Sequence, residues 1–191
     1  AAKKHAMQLG LGAAALTKFS RKKLRMKTTA IEINPQVVSA CRFWFKLPPD
    51  DAKLLVVLAD AGVEVRNPVW AGDVDALQVD LYDHEAAAPV LDSFDFYKDC
   101  RNTLTEGGCM TVNLFGEQNK YPDSVEEIAA AFGRDAVWLF KPTKEGNTVV
   151  LAQRTPSRPD RATLEARAAD IHARWGLPAQ KWLKVFKPLE A

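Results

Sequence analysis

Cysteine is scarce in this chain: three of 191 residues, Cys41, Cys100 and Cys109, each far from the others. That supply makes no disulfide framework, and neither Cys nor His recurs at the spacing of a metal site. Reduced structural thiols, no metal and a cytoplasmic location are therefore expected. No run of about 18 apolar residues occurs, so no membrane-spanning helix is expected. The start carries neither the charged nor the apolar region of a secretory signal. The chain opens without methionine, directly on an apolar segment, and a preceding segment is expected to be missing from it. No serine sits in a nucleophile elbow, and no glycine loop carries the lysine of a GxxxxGK[ST] phosphate grip. The net charge of +2 is too small to argue for nucleic acid. No acid precedes Glu32, and Lys3, Lys4 and positions 18–27 are basic, but a solvated helix accounts for that run; nucleic acid is an unlikely partner on this reading.

Apolar residues make up 47% of the chain, enough for the core of one α/β domain spanning residues 1–191. The organising stretch is Ala6 to Glu32. It reads as an apolar strand, a turn at Gly10-Leu11-Gly12, a helix, and a second strand ending on an acid. Glycines at the end of a buried strand let the backbone turn tightly and approach a ligand. Glu32 lies 22 residues beyond Gly10, the distance at which the second strand of such a unit brings a carboxylate to a bound ribose.

Asn34-Pro35 then caps and opens a helix through Val37, Val38, Cys41 and Phe45. Lys53 to Leu58 is a continuous apolar run of the kind found in buried parallel strands. Positions 61–73 hold turn signals and no periodicity. Ala76 to Val79 is the next strand, a helix spans about Ser93 to Leu104, and Glu106-Gly107-Gly108 turns into a strand Cys109 to Phe115. A helix over 124–132, a strand pair Ala136–Phe140 and Asn147–Ala152, a helix to about Trp175, and a basic, aromatic end complete the chain. The expected architecture is a doubly wound α/β fold: seven strands, mostly parallel, with a C-terminal antiparallel hairpin strand and helices on both faces.

Ligands of open α/β sheets bind outside the carboxyl ends of the strands. Glu32, Asp60 and Asp80 each follow a strand there, and Asp83 lies three residues on. Position suggests a division of work. Gly10 and Gly12 pass close to the ligand, Glu32 takes the ribose diol, Asp60 accepts from an adenine amine, and Asp80 faces a second substrate. A nucleoside bearing a sulfonium suits these acids better than a dinucleotide. The plainer alternative makes Glu32 and Asp60 strand-end or helix-capping acids. His84 is a base or a loop histidine; Tyr82 covers a cationic substrate or only the loop.

The set Gly10-Leu11-Gly12, Ile31-Glu32-Ile33-Asn34-Pro35, Val79-Asp80-Leu81-Tyr82-Asp83, Phe96-Tyr97 and Leu104-Thr105-Glu106-Gly107-Gly108 resembles the spermidine synthase (polyamine aminopropyltransferase) family. The likeness is good over His5 to Phe115 and looser beyond. It implies the class I methyltransferase fold and a transferase that takes decarboxylated S-adenosylmethionine, or S-adenosylmethionine itself, as cosubstrate. Glu32 matches the family's ribose acid and Asp60 the acid near adenine, here in Ala59-Asp60-Ala61 instead of Gly-Asp-Gly or Gly-Asp-Ala. Asp80 matches the catalytic aspartate that helps deprotonate the attacking amine, and Asp83 the second acid of that loop. The resemblance also implies a small-molecule amine of the polyamine type as partner and a homodimer; Trp175, Trp182, Val185 and Phe186 either make that contact or fold back on the sheet. Departures are the His84–Pro89 run in place of a Pro-Val-Gly-Pro-like loop, the absence of the family's N-terminal β-domain, and the lack of its gatekeeping signatures after Phe115. Methyl transfer and non-catalytic nucleoside binding stay open as alternatives.

Overall fold

The apolar runs between turn residues pair into one sheet in the computed structural model, which describes residues 4–81, 91–115 and 121–190. Its strands are β1 (His5–Leu9), β2 (Lys27–Glu32), β3 (Leu54–Leu58), β4 (Val74–Val79), β5 (Leu104–Leu114), β6 (Val137–Phe140), β7 (Thr148–Gln153) and β8 (Phe186–Pro188). They lie in the order β3-β2-β1-β4-β5-β7-β6-β8. The first five run parallel, and β7 enters antiparallel between β5 and β6. The order turns back at β1, where β2 and β3 build to one side and β4 and β5 to the other. That reversal opens a crevice at the carboxyl ends of β1 and β4.

The helices are α1 (Ala15–Lys22), α2 (Pro35–Phe43), α3 (Ala61–Glu64), α4 (Phe94–Thr103), α5 (Tyr121–Phe132), α6 (Arg161–Trp175) and α7 (Ala179–Trp182). They cover the sheet on two faces. Successive strand residues point to opposite sides, and the neighbours Ala30 and Ile31 of β2 belong to different cores. Ala30 packs with Leu11, Cys41 and Leu54 under α2, whereas Ile31 packs with Leu77, Val112, Tyr97 and Ile128 under α4 and α5. No helix among the described residues is long and apolar enough to cross a membrane.

Four details differ from the sequence reading. The segment Leu54–Leu58 is an edge strand, not a doubly buried one, and Leu55 and Leu58 are exposed. An eighth strand, β8, extends the far edge, where Phe186 stacks on Trp138 at 5.0 Å between ring centroids and packs on Phe140. The C-terminal aromatic Phe186 thus folds back on the sheet. Glu106-Gly107-Gly108 lies within β5 and not before it, because the β4–β5 register jumps from Val74↔Leu104 to Ala76↔Cys109. Finally, the obscure stretch 61–73 contains α3 and a 3₁₀ turn at Pro68–Trp70, held by Trp70 Nε1–H donating to Glu64 Oε1 at 2.8 Å.

The amino edge of the sheet carries a buried histidine. His5 Nδ1–H donates to Asp73 Oδ2 and Thr29 Oγ1–H donates to Nε2, both at 2.9 Å. Burial, and then the Lys27 ammonium, hold this imidazole below its ordinary pKa of 6.5 despite the opposing pull of Asp73. The unfolded chain therefore takes up the proton first. Stability is full above about pH 6.5 and declines as pH falls from there to the lowered native value. Urea titrations across pH 4.5–8 (about that range) should show this loss, and a smaller slope in His5→Gln.

Candidate active site

Register alone gathers the site. Leu9 of β1 is paired with Ile31 of β2 and with Val79 of β4, so the next residues, Gly10, Glu32 and Asp80, emerge side by side. The ladder continues one step: Gly10 N–H donates to Ile31 O at 2.9 Å, and Asp80 N–H to Leu9 O at 3.0 Å. Val79 is paired with Val112 of β5, which places Asn113 beside Asp80. Glu32 is paired with Leu58 of β3, and Asp60 follows two residues later.

The glycine turn is shaped by close backbone approach. Gly10 has φ +84°, and a Cβ there would lie 2.2 Å from the carbonyl oxygen of Asp80. Glu32 holds the turn from the other side. Its Oε2 accepts the Leu11 N–H and its Oε1 the Asn34 N–H, each at 2.9 Å. Cys41 Sγ–H donates to Gly12 O at 3.0 Å. Burial, with the Glu32 carboxylate adding to it, pushes the Cys41 thiol up, so it stays protonated as that donor needs. Cys100 and Cys109 are also free thiols raised by burial.

Asp60 is the N-cap of α3, its Oδ1 accepting Val63 N–H at 3.0 Å. The capping alternative thus describes Asp60 truly, and Glu32 is a strand-end acid that ties two loops. Neither role uses up a carboxylate, which accepts about four hydrogen bonds. Asp80 is held differently: Asn113 Nδ2–H donates to its Oδ1 at 3.0 Å, and Asn147 Nδ2–H donates to Asn113 Oδ1 at 3.2 Å. The sequence reading missed both asparagines. The available signal was an amide at the carboxyl end of an apolar strand, Cys109 to Phe115, one residue before its last apolar pair.

Gly10, Gly12, Glu32, Asp60 and Asp80 all line one cavity of about 550 Å³. Ile31, Val37, Leu81 and Leu91 supply its apolar walls. Three carboxylates face it and, among the described residues, no Lys, Arg or His does. The fourth acid of the sequence reading, Asp83, lies outside the described residues, as do Tyr82 and His84. Among the described residues no cluster of three or more His, Cys, Asp or Glu could hold a metal ion.

Comparison with known proteins bears on family and fold. No family model matches the sequence. The chain is 31% identical over 176 residues to the polyamine aminopropyltransferase of Chromobacterium violaceum, covering 91% of this chain and 66% of that protein. It is 29% identical to the polyamine aminopropyltransferase of Neisseria meningitidis serogroup A, covering 96% and 69%. The chain thus spans about two thirds of the length of these curated relatives. Among solved structures, human methyltransferase-like protein 13 in complex with SAH superposes with a TM-score of 0.80 at 18% identity, over 93% of this chain and 84% of that one. A probable spermidine synthase from Corynebacterium glutamicum superposes with a TM-score of 0.74 at 20% identity, over 98% and 67%. Those two likenesses show the fold. With the relatives' sequence identity added, the chain belongs to the spermidine synthase-like family of transferases, the polyamine aminopropyltransferases, on the S-adenosylmethionine-dependent methyltransferase fold.

Proposed function

We propose that the chain transfers an aminopropyl group from decarboxylated S-adenosylmethionine to an aliphatic amine, the class to which the polyamines belong. The observation that carries this reading is the charge of the cavity: three carboxylates and no cation among its described lining residues. A donor with a sulfonium and an ammonium, and no carboxylate, is the thio-adenosyl ligand that such a site stabilises best. Glu32 takes the ribose hydroxyls, Asp60 the adenine amine, and the glycine turn the close approach of the nucleoside.

Asp80 carries the chemistry. It accepts a proton from the acceptor's ammonium and holds the freed amine by a hydrogen bond. The amine nitrogen attacks the propyl carbon attached to sulfur and forms the N–C bond. The C–S bond breaks with its electron pair going to sulfur, which leaves as the neutral thioether methylthioadenosine. The product leaves as a secondary ammonium, and the proton taken up by Asp80 passes to solvent, which restores the carboxylate. No covalent enzyme intermediate is required, so holding nucleophile, carbon and sulfur in line supplies much of the rate.

A second reading, methyl transfer from intact S-adenosylmethionine, draws support from α1, whose N-terminus has no side-chain cap and could receive a carboxylate. Calorimetric titration of the protein separates the two. Decarboxylated S-adenosylmethionine should bind at least about tenfold more tightly than the intact compound, which must bring its carboxylate toward like charges. Glu32→Ala should weaken methylthioadenosine by about 1–3 kcal/mol. Tighter binding of the intact compound would favour methyl transfer. Binding of neither, by folded protein, would sink both readings.

A further inference from the structure

The basic, aromatic end of the chain takes no part in the site above, yet the fold builds a separate cavity of about 490 Å³ from it. This cavity lies at the carboxyl edge of the sheet beyond β5, where Thr148 opens β7 opposite Leu114. Register sets its floor. Thr148 and Val150 share one face of β7, Val150 is paired with Leu139 of β6, and Leu139 with Lys187 of β8. Lys141, one residue beyond β6, carries the ladder on by donating its N–H to Val185 O at 2.8 Å. Lys184 adds to the wall from the turn before β8, and Tyr121 from the first turn of α5.

Two features of this cavity point to an anion. Lys141, Lys184 and Lys187 line it together and are exposed, so three ammonium groups share one small mouth. Like charges gathered there repel one another, and an anion among them reverses the sign of the interaction. The second feature is Thr148, which lines the cavity, is 2% exposed and has a hydroxyl with no hydrogen-bond partner. Buried hydroxyls are nearly always satisfied, and one left unpaired forfeits free energy that a ligand oxygen accepting from it returns. Tyr121, Leu139 and Val185 give the rest of the wall an apolar character.

We propose that this cavity binds a small phosphate monoester. The phosphate lies among the three lysines, one of its oxygens accepts from Thr148 Oγ1–H, and an apolar or aromatic body rests against Tyr121, Leu139 and Val185. A phosphate monoester carries close to two negative charges and three acceptor oxygens, which suits three cations and a hydroxyl better than a single carboxylate does. The volume is that of a small-molecule site. The proposal is independent of the aminopropyl-transfer reading, because it shares no residue with the cavity around Glu32, Asp60 and Asp80.

Equilibrium dialysis in low-salt buffer at about pH 8, where the monoester is a dianion, provides the test, with phenyl phosphate and inorganic phosphate as probes. Phenyl phosphate should bind at least about threefold more tightly than inorganic phosphate, through its ring. Thr148→Val should weaken phenyl phosphate by about fivefold or more, and Lys141→Ala and Lys187→Ala by about threefold each. All three variants should keep the wild-type affinity for methylthioadenosine. Thr148→Val should also raise the urea midpoint, since a methyl replaces a buried, unpaired hydroxyl. A lowered midpoint would show that the hydroxyl serves the fold, and would overturn the proposal. So would no binding of phenyl phosphate by folded protein at millimolar concentration, equal affinity for inorganic phosphate, or an affinity that the exposed lysine variants leave unmoved.

Discussion

Asp80→Asn is expected to lower kcat by about 10²–10⁴-fold while leaving methylthioadenosine affinity nearly unchanged. The split follows from where Asp80 sits. Its backbone continues the β1–β4 ladder through the Leu9 carbonyl, and its Oδ1 accepts from Asn113. The amide oxygen of the replacement can accept both that bond and the same rotamer, so the cavity keeps its shape. What goes is the basic site for the acceptor's proton and the negative charge facing the ammonium. KM for the amine should rise as well, because the head group loses its counter-charge. Steady-state kinetics beside calorimetry with methylthioadenosine read the two effects separately. If kcat stayed within about threefold of the wild type, Asp80 would not be the base.

Gly10→Ala is expected to cost about 3 kcal/mol or more of folding stability, and with it donor binding. Two penalties coincide at this position. The left-handed φ of +84° disfavours any residue with a Cβ, by about 1–2 kcal/mol. The new methyl would also meet the Asp80 carbonyl oxygen at 2.2 Å, a backbone atom already fixed by the sheet. Relief requires the turn to move away from β4, which separates the glycine loop from the carboxylate it is meant to face. Gly12→Ala is the internal control: φ is +50°, but nothing lies within 4 Å of its Cβ position, so about 1 kcal/mol is expected. Urea midpoints of the two variants decide this. Equal costs at both glycines would show that close approach to Asp80 is not what demands Gly10.

Much of the fold lay open in local pattern because its elements are locally consistent. Asn34-Pro35 caps and starts α2 as read, with Asn34 Oδ1 accepting Gln36 N–H at 2.9 Å. Strand-end acids were visible for a similar reason, since an acid after an apolar run marks the end of a buried strand. Less was visible where a segment's fate depends on distant partners. Leu54–Leu58 has the composition of a central strand, yet it lies at the edge, because strand order is set by crossovers and not by composition. β8 has three residues, one of them a proline, no pattern of its own, and forms because Trp138 and Phe140 offer rings to Phe186.

By itself the sequence determined the unit from Ala6 to Glu32, the parallel strands with their terminal acids, and the likeness to aminopropyltransferases. Tertiary structure alone decided that Glu32 ties the Leu11 amide, that Asn147 and Asn113 steady Asp80, and that Asp80 meets Glu32 and Asp60 at one cavity. The physical reason is range. Capping, turning and alternation act within a few residues, whereas these contacts join positions 21 to 34 residues apart, brought together only by sheet register.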